Sequence, residues 1–242
     1  MSSIYFIRHG QASFGRANYD RLSELGRRQC RLLGEHLSRS GVAFDAVYTG
    51  ALERQQDSAQ ILLAAYGDAG RPFPEPAAAN PDWNEYDSQS ILSGSLPRAM
   101  AAHPEIAALA KELAANGRLD LANDKRAFQR LFSRVMDLWV EGRLGVEGME
   151  SWPDFTARVN RGLDRVMAEQ GAGKTVAVVT SGGPISAVMQ RALAAPDKIA
   201  LELGWAIVNS SFTECRYRNG KFSLASFNQT PHLDEPAMIT YR

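Results

Sequence analysis

Ile4-Tyr5-Phe6-Ile7 runs directly into Arg8-His9-Gly10. Four consecutive β-branched or aromatic residues are too few for a helix and read as a buried strand. The strand stops at a cation, an imidazole able to act as a nucleophile, and a glycine. In an open α/β sheet, ligands bind just beyond the carboxyl ends of the strands, so the triplet stands where chemistry is usually done. Histidine is otherwise scarce: the chain holds four, His9, His36, His103 and His232.

Downstream, Leu22, Leu25, Leu32, Leu33 and Leu37 recur at helical spacing, with Arg27, Arg28, Arg31 and Glu35 on other faces. Ser23 is placed to cap that helix. A second strand is expected over 44–48, and Thr49-Gly50 turns the chain into a helix over 51–65. Residues 76–80 read as a short edge strand, followed by Trp83-Asn84-Glu85-Tyr86-Asp87. From about 88 to 150 the character changes, with helices expected over 106–115 and 128–140 and no clear strand. This stretch reads as a helical insertion, a candidate cap over the site, within a single domain spanning 1–242. A helix over 155–167 precedes the strongest strand of the chain, the valine-rich Thr175–Thr180. A helix over 185–193 follows, with Pro184 in its first turn. Segments 212–217 and 222–227 flank Arg218-Asn219-Gly220 and read as a hairpin. Strands alternating with helices predict an α/β fold: three layers, α/β/α, around a mostly parallel central sheet.

Composition narrows the partners. In 242 residues, Lys+Arg and Asp+Glu both count 27, so no net field favours nucleic acid or a membrane surface. An anionic ligand then needs a local cationic pocket. The two cysteines, Cys30 and Cys215, lie far apart and form neither a metal nor a redox spacing. No secretory signal is read at the N-terminus, and a cytoplasmic protein is expected. Oligomeric state is not legible.

Two motifs are set aside. Gly171-Ala172-Gly173-Lys174-Thr175 invites a phosphate-loop reading, but the first glycine of that motif falls on Ala168, and Lys174-Thr175 precedes a strand instead of opening a helix. Ser181-Gly182-Gly183 resembles part of a nucleophile elbow, with Asp197 and His232 following in the order a serine hydrolase needs, but Val179 fills the place of its first glycine. The plainer role for Ser181 is to end the strand or cap the next helix.

Three features strengthen the Arg8-His9-Gly10 reading. Arg54 falls early in the helix after the second strand, and a guanidinium there suits a phosphate on the same sheet edge. Glu85 lies in a loop after another strand-like segment. The valine-rich strand ends in Gly182-Gly183 before a helix N-terminus, whose backbone N–H groups favour an anion.

Together these residues resemble the histidine phosphatase superfamily, the phosphoglycerate mutase-like fold, over most of the chain. Arg8-His9-Gly10 matches that family's signature. Leu22-Ser23-Glu24-Leu25-Gly26-Arg27-Arg28-Gln29 looks like its Leu-Thr-x-x-Gly-x-x-Gln segment, and Leu52-Glu53-Arg54 with Ser58-Ala59 like its Leu-x-Arg…Thr-Ala helix. Asn209-Ser210-Ser211 and Asn228-Gln229-Thr230-Pro231-His232-Leu233 resemble its closing segments. Two departures stand out. The family usually ends its last valine-rich strand in Ser-His-Gly-Gly, whereas this chain has Thr180-Ser181-Gly182-Gly183. The mutase branch carries Glu-Arg-His-Tyr-Gly near its acid, and nothing like it follows Glu85.

The resemblance implies a phosphomonoester phosphatase acting on a small phosphorylated substrate without metal or cofactor. In it His9 takes the phosphoryl group, while Arg8, Arg54, Ser181 and the Gly182 backbone hold the phosphate. Glu85 fits the general acid, with Asp87 as its rival; in an extended segment the two point to opposite faces. A non-catalytic or weakly active phospholigand- or protein-binding relative is the alternative, as is a mutase-type phosphotransferase.

Overall fold

The computed structural model describes residues 1–13, 20–72, 74–76, 78–115, 125–144, 148–218 and 220–241. At the centre, β3 (Thr175–Thr180) pairs in parallel with β1 (Ser2–Arg8) on one side and β2 (Ala46–Thr49) on the other. All of β3 from Val176 to Thr180 is buried, as a parallel strand covered on both faces requires. The far edge of β1 pairs antiparallel with β4 (Phe212–Arg218), which forms a hairpin with β5 (Lys221–Gln229). The sheet order is β2-β3-β1-β4-β5. Four strands run one way and β4 runs against them, so the sheet is mixed and flanked by helices. In the hairpin turn Gly220 takes φ +76°; Asn219 lies outside the described residues.

Helices α1 (Glu24–Arg39) and α2 (Glu53–Asp68) cover one face of the sheet. Leu33 and Leu37 from α1 and Leu62, Leu63 and Tyr66 from α2 pack with Ile7, Val47, Ala177 and Val179. Of the leucines read at helical spacing, Leu33 and Leu37 share this face, whereas Leu25 and Leu32 pack with Val208, Leu233 and Met238 and Leu22 precedes the helix. On the opposite face Phe6 meets Trp83, ring centroids 5.9 Å apart. Ser23 caps α1 as expected, its Oγ accepting the Gly26 N–H at 3.0 Å. α2 is capped from a distance: the Asp20 carboxylate accepts the Glu53 N–H at 2.8 Å.

Several boundaries differ from expectation. No strand forms over 74–76 or 78–80. Instead Asn80 donates one N–H to Thr49 O and caps a 3₁₀ turn, Pro81–Trp83, while Pro76 has no N–H to give a ladder. Two helices were not foreseen. In α3 (Ser88–Ala102), Gly94 and Pro97 blunt the helical signal, and α8 (Asp197–Ala206) is only ten residues. Between them come α4 (Pro104–Ala115), α5 (Lys125–Val140), α6 (Trp152–Gln170) and α7 (Gly182–Leu193).

The chain forms two compact units, Met1–Glu85 with Ala157–Arg242, and Tyr86–Thr156. The first holds the whole sheet. The second is helical and is organised on aromatic rings: Tyr86 meets Phe155 edge-on at 5.3 Å, and Trp139 meets Trp152 edge-on at 5.4 Å. The Trp139 indole N–H donates to Glu150 O at 2.9 Å. Among the described residues no helix is long and apolar enough to cross a membrane.

Helices α1 and α2 approach so closely that a Cβ at Gly34 would stand 2.2 Å from Leu62 O. By propensity alone Gly34→Ala in mid-helix would stabilise by roughly 1 kcal/mol. The contact reverses that sign, and we expect a loss of about 1–3 kcal/mol in urea unfolding. A stabilised variant would show that the two helices are free to part.

Candidate active site

The end of β1 is held by hydrogen bonds from three sides. The His9 N–H donates to Thr180 O at 2.8 Å. The Ser210 N–H donates to the carbonyls of both Arg8 and His9 at 3.1 Å, from a residue with φ +62°. The Gly10 N–H donates to Ser58 Oγ at 3.0 Å. Gly10 must lack a side chain, since a Cβ there would lie 2.4 Å from Gly26 O. Gly26 faces the same restriction, its Cβ position lying 2.2 Å from Gln11 O. These paired glycines let α1 press against the triplet.

His9 itself is buried, with 4% of its surface exposed. Its Nδ1 lies 2.7 Å from Gly10 O, and a carbonyl only accepts, so Nδ1 carries the proton. Nε2 then presents a lone pair, which accepts the Arg54 Nε–H at 3.2 Å. Burial pushes the imidazole pKa well below its usual 6.5, and the guanidiniums of Arg54 and Arg8 push the same way. The Gly10 carbonyl favours the cation but is outweighed. His9 is therefore neutral at pH 7, with its tautomer set by the backbone.

Arg54 is buried and bridges two partners. Besides His9, its Nη1 donates to Asp20 Oδ1 at 2.6 Å. Asp20 thus joins the start of α2 to the guanidinium. Arg8 donates from Nη1 to Ile207 O and from Nη2 to Tyr241 O at 2.8 Å. It stands beside Gly182, whose Cβ position would be 3.8 Å from Arg8 Cζ.

The two candidate acids part company. Glu85 Oε2 accepts the Gly183 N–H at 3.1 Å, at the N-terminus of α7. Asp87 instead caps α3, accepting from the Ser90 N–H at 2.9 Å and the Ser90 hydroxyl at 2.6 Å. Ser181 occupies the N-cap position of α7 but makes no capping bond. It is wholly buried, and its Oγ accepts from Gln55 Nε2 at 2.8 Å. The hydrolase arrangement of Ser181, His232 and Asp197 is not formed. His232 Nε2 pairs with Ser210 Oγ at 3.2 Å, and Asp197 accepts from Gln190.

Sequence reasoning missed Asp20 and Gln55 as members of this cluster. Asp20 carries no local signal, because its partners lie 33 and 34 residues away. Gln55 directly follows Arg54 at the start of α2, and that adjacency was the one available hint. Among the described residues no group of three or more His, Cys, Asp or Glu is arranged to hold a metal ion.

The sequence model of the histidine phosphatase superfamily (branch 1) matches residues 4–141 and 77–230. The chain belongs to that superfamily. A 2,3-bisphosphoglycerate-dependent phosphoglycerate mutase of Bartonella quintana is 32% identical over 84 residues, 32% of this chain. The match spans only 41% of that mutase. Among solved structures, Bacillus stearothermophilus YhfR superposes with a TM-score of 0.66 at 18% identity, covering 97% of this chain and 100% of that one. A mutant phosphoserine phosphatase of Entamoeba histolytica in complex with phosphoserine gives 0.61 at 17% identity, covering 96% and 100%. At these identities the structures establish the shared fold.

Burial also holds the His232 pKa down, to about 3, with His36 acting in the same direction. Both buried histidines stay neutral when the unfolded chain protonates near pH 6.5. Below that value the unfolded state binds more protons, so stability falls with pH, for His232 down to about 3. Between pH 7 and 5, His232→Gln is expected to lose about 2 kcal/mol less unfolding free energy than wild type. Equal losses in urea titrations would refute the low pKa of His232.

Proposed function

We propose that the protein is a phosphomonoester phosphatase that works through a phosphohistidine on His9. The observation that carries this reading is the neutral imidazole with its Nε2 lone pair against the Arg54 guanidinium. A protonated histidine cannot attack phosphorus, and an isolated one has no counter-charge for the phosphate. Here burial removes the proton while two arginines supply the positive charge, and positioning and charge neutralisation do most of the work in phosphoryl transfer.

The phosphate enters between Arg54, Arg8 and the Gly182 backbone, and Arg54 turns its Nε–H from the imidazole to a phosphate oxygen. His9 Nε2 forms a bond to phosphorus as the P–O bond of the ester breaks. Glu85 gives its proton to the departing alcohol oxygen. In the second half, the Glu85 carboxylate takes a proton from water, the water oxygen attacks phosphorus, and the N–P bond breaks to release inorganic phosphate. Hydrolysis is favoured over transfer to a second acceptor because Tyr86-Asp87-Ser88-Gln89 replaces the mutase-type stretch.

Rapid mixing with a ³²P-labelled phosphomonoester, quenched in alkaline denaturant, tests the reading. Label is expected on the wild-type chain and not on His9→Ala, whose steady-state turnover should also be lost. Wild-type turnover by His9→Ala would remove the nucleophile assignment. With charge supplied by Arg8 and Arg54, dialysis against a chelator should leave turnover unchanged. A loss reversed by a divalent ion would count against the mechanism.

A further inference from the structure

Ser181 stands where β3 ends and α7 begins, and its hydroxyl oxygen is engaged by Gln55 instead of capping the helix. Ser181 and Gln55 are both wholly buried, each at 0% exposure. The Gln55 carboxamide is oriented unambiguously. Its Nε2 reaches the Trp83 carbonyl at 3.0 Å, which demands a donor, and its Oε1 accepts the Leu52 N–H at 3.3 Å. The second Nε2 proton therefore goes to Ser181 Oγ. Gly50 makes room for this side chain, since a Cβ there would overlap Gln55 Oε1.

The Trp83 carbonyl also accepts the Thr180 hydroxyl at 2.6 Å. Just after it, the Asn84 side chain accepts the Ala51 N–H at 2.6 Å, and the Asn84 carbonyl accepts from Arg158 Nη1 at 2.7 Å. Glu85 comes next. Ser181, Gln55 and Trp83 O thus tie the N-terminus of α7 to the chain two residues before Glu85, and Glu85 completes the ring by accepting the Gly183 N–H.

We propose that Ser181 and Gln55 are positioning residues for the Glu85 carboxyl, acting through the Trp83 carbonyl, and that the Ser181 hydroxyl does not touch the phosphate. The inference rests on the phosphatase reading above. It makes Ser181 part of a neutral brace, and leaves the phosphate to the two arginines and backbone.

Leaving-group dependence separates the two roles. 4-Nitrophenolate departs without a proton, whereas an alkoxide needs one, so misplacing the acid harms alkyl esters selectively. For Ser181→Ala and Gln55→Met, kcat/KM should fall about tenfold on 2-glycerol phosphate, a fraction of the 10²–10⁴ available from general acid catalysis. On 4-nitrophenyl phosphate the fall should stay under about threefold, and Glu85→Gln should show the same selectivity more strongly. The double variant should be no worse than the poorer single, as expected for residues acting as one unit. Inhibition by inorganic phosphate should remain near wild type in Ser181→Ala. Thermal midpoints of all variants report whether each folds, and Ser181→Ala alone decides the question if Gln55→Met does not. Equal losses on both esters together with weaker phosphate inhibition would place the hydroxyl on the phosphate and overturn the proposal. A wild-type chain that hydrolyses neither ester would instead sink the phosphatase reading, and this inference with it.

Discussion

The parallel pairing of β1 with β3 sets the arrangement on which everything else depends. Its register places Arg8 opposite Thr180, and the His9 N–H bonds to Thr180 O one step beyond. The exits of the two strands are therefore adjacent, with His9 leaving one and Ser181 the other. Parallel strands need a crossover connection, which is why residues so far apart in the chain meet at one sheet edge. β2 pairs with the other side of β3 and delivers α2, with Arg54 and Gln55, to the same edge. A slip of one residue in this register would turn His9 to the opposite face.

Within that frame the state of His9 follows from desolvation. A histidine in water is a mixture of charge states and tautomers near neutral pH. Burial between two guanidiniums removes the cation, and the Gly10 carbonyl selects the tautomer with Nε2 bare. The guanidiniums are themselves held in place. Asp20 fixes Arg54, and two main-chain carbonyls fix Arg8. Fixed donors cost little reorganisation when charge develops, which is what makes such a site worth more than the same groups in solution. The site also borrows the start of α7, where Glu85 takes an N–H that would ordinarily go to a capping side chain. Ser181, seated as the cap, is thereby released for Gln55.

Much of this was legible in the residues. Short runs of β-branched and aromatic residues marked β1 and β3, and the leucine spacing marked α1, because burial on one face or two imposes a period on the chain. Ser23 as a cap and the hairpin of β4 and β5 were local signals and were found. No strand forms at 76 or over 78–80, where Asn80 instead caps the 3₁₀ turn Pro81–Trp83 that follows. α3 escaped because Gly94 and Pro97 lower its intrinsic helical preference and only tertiary packing offsets that.

By itself the sequence determined which groups are available and roughly where the chain turns: a histidine and arginine at a strand mouth, an arginine early in a helix, a glutamate in a loop, a serine before paired glycines. Those are properties of neighbours within a few residues, and neighbours leave a pattern. Tertiary structure alone decided what each group faces. Nothing near Asp20 in the chain says that it grips Arg54, and nothing near Ser181 says that its hydroxyl meets Gln55, 126 residues earlier. It also separated Glu85 from Asp87, two carboxylates that the sequence left as rivals, by giving one to the α7 N-terminus and the other to the α3 cap. The physical reason is that hydrogen bonds and desolvation act over a few ångströms of space, and the sheet register, not chain distance, determines which groups come that close.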